Sequence, residues 1–128
     1  MKIIAIFLGF LLSILSFSTT GECELLREGG TFVYDDEDGD MVVVVIENNK
    51  HTEHHKGNKY IVESDIKWIS DCEYNASLVK ATLPDMALFK KGDILNIKVD
   101  KIDGDDIYYT RTIKKMKFKG KMTKTREF

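Results

Sequence analysis

The sequence predicts an all-β domain: an antiparallel up-and-down meander of seven or eight strands, barrel-like or half-open, with at most one short helical turn. Three observations carry this. Apolar residues beyond residue 30 recur with period two rather than the ~3.6 of a helix. Asn, Asp and Gly interrupt those runs at short intervals. Asp103-Gly104 stands between two long alternating runs, the strongest short-range sign of a hairpin. Evenly spaced short strands point to a barrel or sandwich, and hairpin joints between sequence neighbours favour a meander over a Greek key.

The elements follow in order. Thr31 to Tyr34 is a first strand, ended by the acidic run Asp35 to Asp40. Met41 to Ile46 is β-branched almost throughout, which suits a pleated, buried surface. Asn48-Asn49 turns the chain into a weaker, polar strand, His51 to His55, and Gly57-Asn58 turns it again before Tyr60 to Val62. From Ile66 onward Trp68, Cys72, Tyr74, Ala76 and Leu78 share one face, with Ser70-Asp71 as a bend. Leu83-Pro84-Asp85 interrupts the sheet, and Met86 to Lys91 reads as one helical turn. Ile94 to Ile102, Ile107 to Ile113 and Lys115 to Met122 complete the set; the last alternates Met116, Phe118, Gly120 and Met122 against four lysines. Closing the sheet by pairing the first strand with the last removes both edges, and would set the acidic turn beside those lysines.

Residues 1–21 stand apart. Met1-Lys2 is a positive start, Ile3 to Phe17 carries no charge, and Ser18-Thr19-Thr20-Gly21 offers the small residues of a cleavage site. That is the layout of a secretory signal. The apolar run falls short of the ~20 residues of a membrane-spanning helix. Glu22, before Cys23, is the wrong residue for a lipid-modified cysteine. The domain division is thus 1–21 signal peptide and 22–128 a single β domain, exported to the periplasm, the cell envelope or the medium.

The exported part has 107 residues, room for one modest core. With 18 basic and 21 acidic residues its net charge is −3, which argues against a nucleic-acid partner. Its two cysteines, Cys23 and Cys72, are the candidate disulfide, since an even pair in an oxidising compartment most often bonds. There is no CxxC redox or zinc signature.

Other candidate sites are weak on sequence grounds. In a calcium-loop register, Gly39 as the obligatory glycine puts Tyr34 and Val45 at the terminal ligand positions, so the pattern fails. His51, Glu53 and His55 share a strand face and could hold a borderline metal, but no second ligand cluster stands elsewhere; an exposed polar edge is the expectation. The lysine alternation is better read as an edge guarded against aggregation than as a phosphate site. Asn75-Ala76-Ser77 fits a glycosylation sequon, a pattern common by chance. Phe32, Trp68, Tyr74, Tyr108, Tyr109 and Phe118 could line a cavity, though core packing is the plainer account. The sequence carries no recognisable catalytic motif, and no cofactor or metal site is expected.

Ile66 to Tyr74, read as Ile-x-Trp-x-x-x-Cys-x-Tyr, with Cys23 and Gly30-Thr31-Phe32 before it, resembles a group of small exported bacterial β-proteins that are usually left uncharacterised. Some carry an automatic topoisomerase label, which does not fit a 107-residue exported domain with no room for ATP-driven strand passage. The likeness departs in the histidine-rich segment and so implies no shared metal site. The expectation is a non-catalytic envelope or secreted protein, an interaction or structural module with an unknown protein partner and no stable membrane span after signal cleavage. The alternative is a lipocalin-like carrier of a small apolar ligand.

Overall fold

The computed structural model describes residues 22–84 and 89–125. The expected export signal lies outside the described residues, as do Met86 to Leu88 of the expected helical turn; Phe89 and Lys90 are irregular and Lys91 belongs to a turn. The described residues form a short helix α1 (Glu24–Arg27) and eight strands: β1 (Gly30–Asp35), β2 (Met41–Glu47), β3 (Lys50–His55), β4 (Tyr60–Ser70), β5 (Glu73–Ala81), β6 (Ile94–Asp103), β7 (Asp106–Ile113) and β8 (Met116–Lys124). Each strand pairs antiparallel with the next and β8 returns to β1, so the meander closes into a barrel. Among the described residues no helix is long and apolar enough to cross a membrane.

Turn chemistry sets the registers. Asn48 and Asn49 both adopt left-handed φ, 53° and 60°, and the two-residue loop they form puts Glu47 opposite Lys50 and Ile46 opposite His51. Both-positive φ in a two-residue hairpin matches the twist of the flanking strands. Gly104 does comparable work after Asp103, so the expected Asp-Gly hairpin is present between β6 and β7. In the acidic loop, Asp36 Oδ1 accepts from the backbone N–H groups of Asp38 and Asp40, an aspartate-closed turn. The expected electrostatic partner of that loop is corrected. Lys56, from the neighbouring β3–β4 turn, bonds Asp40 and lies 3.2 Å from Asp38 and 3.5 Å from Asp36. The two turns crown adjacent hairpins at one end of the barrel, whereas Lys119 of β8 is taken up by Asp100 at 3.1 Å.

The expected long strand from Ile66 also needs correction. β4 begins earlier, at Tyr60, and runs through the polar Glu63-Ser64-Asp65, because Ser64 faces the core and its two neighbours face solvent. The chain then reverses at Asp71-Cys72. Trp68 and Tyr74 share a face because they are paired across this hairpin, ring centroids 5.0 Å apart, and not because one strand carries both.

Up-and-down topology sends the β2–β3, β4–β5 and β6–β7 turns to one end, together with α1. There α1 acts as a plug. Leu26 is fully buried, a burial worth roughly 1.5–3 kcal/mol. Cys23 is bonded to Cys72 on the β4–β5 turn, which ties the plug to the sheet as the sequence predicts. Arg27 lies 4.4 Å over the Trp68 ring, and Lys124 Nζ donates to Leu25 O at 3.1 Å. Gly29, at φ 78°, carries the chain from the plug into β1 so close to β2 that a Cβ would sit 2.5 Å from Ile46 O. Phe32, Val42, Val44, Ile66, Ala76 and Ile107 fill the adjoining interior.

Candidate functional site

The inward face of β3 carries no apolar residue. His51, Glu53 and His55 point into the barrel, with His51 and His55 only 4% and 8% exposed. The exposed polar edge expected for this strand is therefore wrong. In a closed barrel β3 is not an edge: β2 and β4 flank it, and Val44 and Val62 pair with Glu53 on either side. His54, between them, faces outward.

Glu53 is the hub. His51 Nε2 donates to Oε2 at 2.8 Å, His55 Nε2 donates to Oε1 at 2.9 Å, and the Tyr34 hydroxyl donates to Oε1 at 2.9 Å. On its far side His51 Nδ1 meets the Tyr74 hydroxyl at 2.7 Å. With His51 neutral and protonated at Nε2, Tyr74 donates to Nδ1; with both nitrogens protonated, Nδ1 donates to Tyr74. Either way, four inward side chains from β1, β3 and β5 satisfy one carboxylate and one another, as buried polar groups must.

The electrostatics follow from this geometry. Burial alone would push the Glu53 carboxyl up. The hydrogen bonds from His51 and His55, the His51 charge and the Tyr34 hydrogen bond outweigh it and hold the group well below the usual carboxylate range. Burial, then the Glu53 charge, push the Tyr34 and Tyr74 hydroxyls far up. Burial also raises Tyr109, with Arg111 opposing it. Arg111 enters the barrel from β7 and lies 5.2 Å over the Phe118 ring.

The space among these groups is small. Tyr34, Glu53, Tyr74, Tyr109, Arg111 and Met122 help to line a void of about 10 Å³, roughly the room of one water. Tyr109 projects inward against Gly120, directly opposite on β8, where a Cβ would sit 2.7 Å from the ring. A larger hollow of about 440 Å³ lies away from the cluster, against Leu78, Val79, Leu83, Pro84 and Phe89; residues 85–88, between Pro84 and Phe89, are outside the described part.

The remaining candidates fall as follows. His51 and His55 grip opposite oxygens of Glu53. Among the described residues, only Asp36, Asp38 and Asp40 bring three such ligand atoms within 4.8 Å of one another, and Lys56 already bridges them. Phe32, Trp68, Tyr74 and Tyr109 face inward, Tyr108 faces outward, and Phe118 stands at the mouth, 42% exposed. Asn75 is half-buried and accepts from Asn96 Nδ2 at 3.0 Å. No protein-family model, curated protein or solved structure matches the chain.

Proposed function

We propose that this chain is an exported, non-catalytic envelope or secreted protein that serves as an interaction or structural module. The observation that carries the reading is the self-satisfied interior: Glu53 accepts from three side chains, and the void beside it is about 10 Å³. General acid–base work calls for groups tuned toward neutrality, and the shifts of Glu53, Tyr34 and Tyr74 run away from it. The Cys23–Cys72 bond is compatible with an oxidising compartment, in keeping with residues 1–21 read as a secretory signal. The likeness of Ile66 to Tyr74 to small exported bacterial proteins supports the same placement.

The lipocalin-like carrier has the closed eight-stranded barrel in its favour. Against it stands the interior, far below the ~300–1,000 Å³ of small-molecule sites. Titration with an apolar fluorescent probe, anilinonaphthalene sulfonate, distinguishes the two, because the sole tryptophan, Trp68, packs against the core. The module reading expects no saturable binding and unchanged Trp68 emission. Saturable one-to-one binding that quenches Trp68 would establish a carrier. Export is tested separately: protein recovered from the envelope or medium should begin at or near Gly21 or Glu22, and an intact Met1-Lys2 start would refute it.

A further inference from the structure

The barrel is sewn shut by its shortest seam. β7 pairs with β8 from Asp106 opposite Thr123 to Ile113 opposite Met116, whereas β1 pairs with β8 only at Val33–Thr123 and Phe32–Lys124. Two hydrogen bonds fix which way the β8 backbone faces. Lys124 N–H donates to Asp105 O on the β7 side, and Thr125 N–H donates to Thr31 O on the β1 side. Antiparallel ladders alternate, so even-numbered positions of β8 address β7 and odd-numbered positions address β1. The N–H and C=O groups of Lys117, Lys119 and Lys121 therefore point toward the side where, among the described residues, no strand pairs with them.

The side chains alternate as well. Lys117, Lys119 and Lys121 are exposed on the outer surface. Met116 and Phe118, on the inner face, stand at the barrel mouth 39% and 42% exposed. Lys119 is already held by Asp100 at 3.1 Å and Thr110 at 2.8 Å, so Lys117 and Lys121 carry the open charge.

We propose that this stretch of β8 accepts an extended segment of a protein partner as an added strand, with Asp or Glu at alternate positions and apolar residues between. The inference rests on the interaction-module reading. Backbone hydrogen bonds to the three lysine positions supply affinity, and the alternating side chains supply selectivity. Acidic groups meet Lys117 and Lys121 on the outside, while apolar ones cover Met116 and Phe118. A second copy of this chain is the poorest occupant. Pairing β8 with itself sets lysine against lysine, which is how guarded edges reject one another.

The test uses the disulfide-bonded protein, labelled with ¹⁵N, and the peptide Val-Glu-Val-Glu-Val-Glu-Val. The Lys117, Lys119 and Lys121 amides should exchange rapidly in the free protein and at least tenfold more slowly with peptide bound. Binding should weaken several-fold with added salt, and the Val-Lys counterpart should not bind. Lys117→Pro with Lys121→Pro removes two outward donors and should abolish binding; Lys117→Gln with Lys121→Gln keeps the donors and should only weaken it. If the proline pair fails to fold, exchange in the unaltered protein decides. The proposal is overturned by amides already as slow as those of β7, by peptide that protects none of them, or by equal affinity for the lysine peptide. Self-association through β8 in sedimentation would overturn it too. None of these outcomes bears on the filled interior, which the fluorescent-probe titration tests independently.

Discussion

Replacing Glu53 by Gln changes one atom type at the centre of the barrel, so its cost can be worked from the three hydrogen bonds. Gln offers a single carbonyl oxygen, which can keep His55 and Tyr34 as neutral bonds. Its amide N–H then faces Nε2 of His51 across 2.8 Å, and that nitrogen accepts once the ring moves its proton to Nδ1 and donates from there to the Tyr74 hydroxyl. Hydrogen bonds to charged groups contribute about 1.5–3 kcal/mol and neutral ones about 0.5–1.5. Neutralising all three bonds should therefore destabilise the fold by about 3 kcal/mol, a large share of the ~5–15 kcal/mol that holds a domain together. Urea unfolding followed by Trp68 fluorescence reads this as a lower midpoint at unchanged slope. The pH dependence gives a second signature. A carboxyl held below its unfolded range contributes stability that is present above that range and lost as pH falls through it. The parent protein should thus lose stability on acidification below about pH 4.5, and Glu53→Gln should lose less. A variant as stable as the parent, with the same acid sensitivity, would refute the hub role of Glu53.

Three further perturbations address the disulfide, the Gly120–Tyr109 contact and the closing strand. Cys72→Ala opens a link between residues 49 apart and should cost about 4 kcal/mol on chain-entropy grounds, seen as a lower melting temperature; non-reducing mass spectrometry of the parent should show the loss of two hydrogens. Gly120→Ala drives a Cβ to 2.7 Å from Tyr109 and should cost about 1–3 kcal/mol, with the penalty shrinking when Tyr109→Leu is added. A penalty independent of residue 109 would contradict the close approach. Deleting Lys115 to Phe128 removes β8 and leaves β7 and β1 as open edges, so cooperative unfolding should be lost throughout the domain; fraying confined to β7 would count against closure as a source of global stability.

The parts of this fold that follow local rules were legible in the sequence. Period-two alternation marked the strands, Asp103-Gly104 marked a hairpin, the need to bury two edges implied closure, and an even pair of cysteines in a chain read as exported implied the bond between Cys23 and Cys72. The polar interior is not legible in the sequence because Lys50 to His55 is polar on both faces, so its own alternation does not say which face turns inward. The missing signal lay in the turn. A two-residue Asn48-Asn49 loop sets Ile46 opposite His51 and Val44 opposite Glu53, which places the histidines on the buried face of β2. The plug escaped for another reason. Glu24-Leu25-Leu26-Arg27 is too short for a helical period to show, and its position is fixed by the disulfide and by the barrel end it covers. The charge pairing of the acidic loop depended on which turns share an end, a property of topology rather than of either segment.

The barrel closes over a carboxylate whose oxygens are taken up by the protein's own side chains. Long-range ¹H–¹⁵N correlation spectra of the histidine rings test it most directly. An ionised Glu53 only accepts, so His51 and His55 must each carry a proton on Nε2 at neutral pH, with those protons protected from exchange with solvent. Nε2 lacking its proton in either ring, or exchanging as freely as an exposed imidazole, would contradict the account.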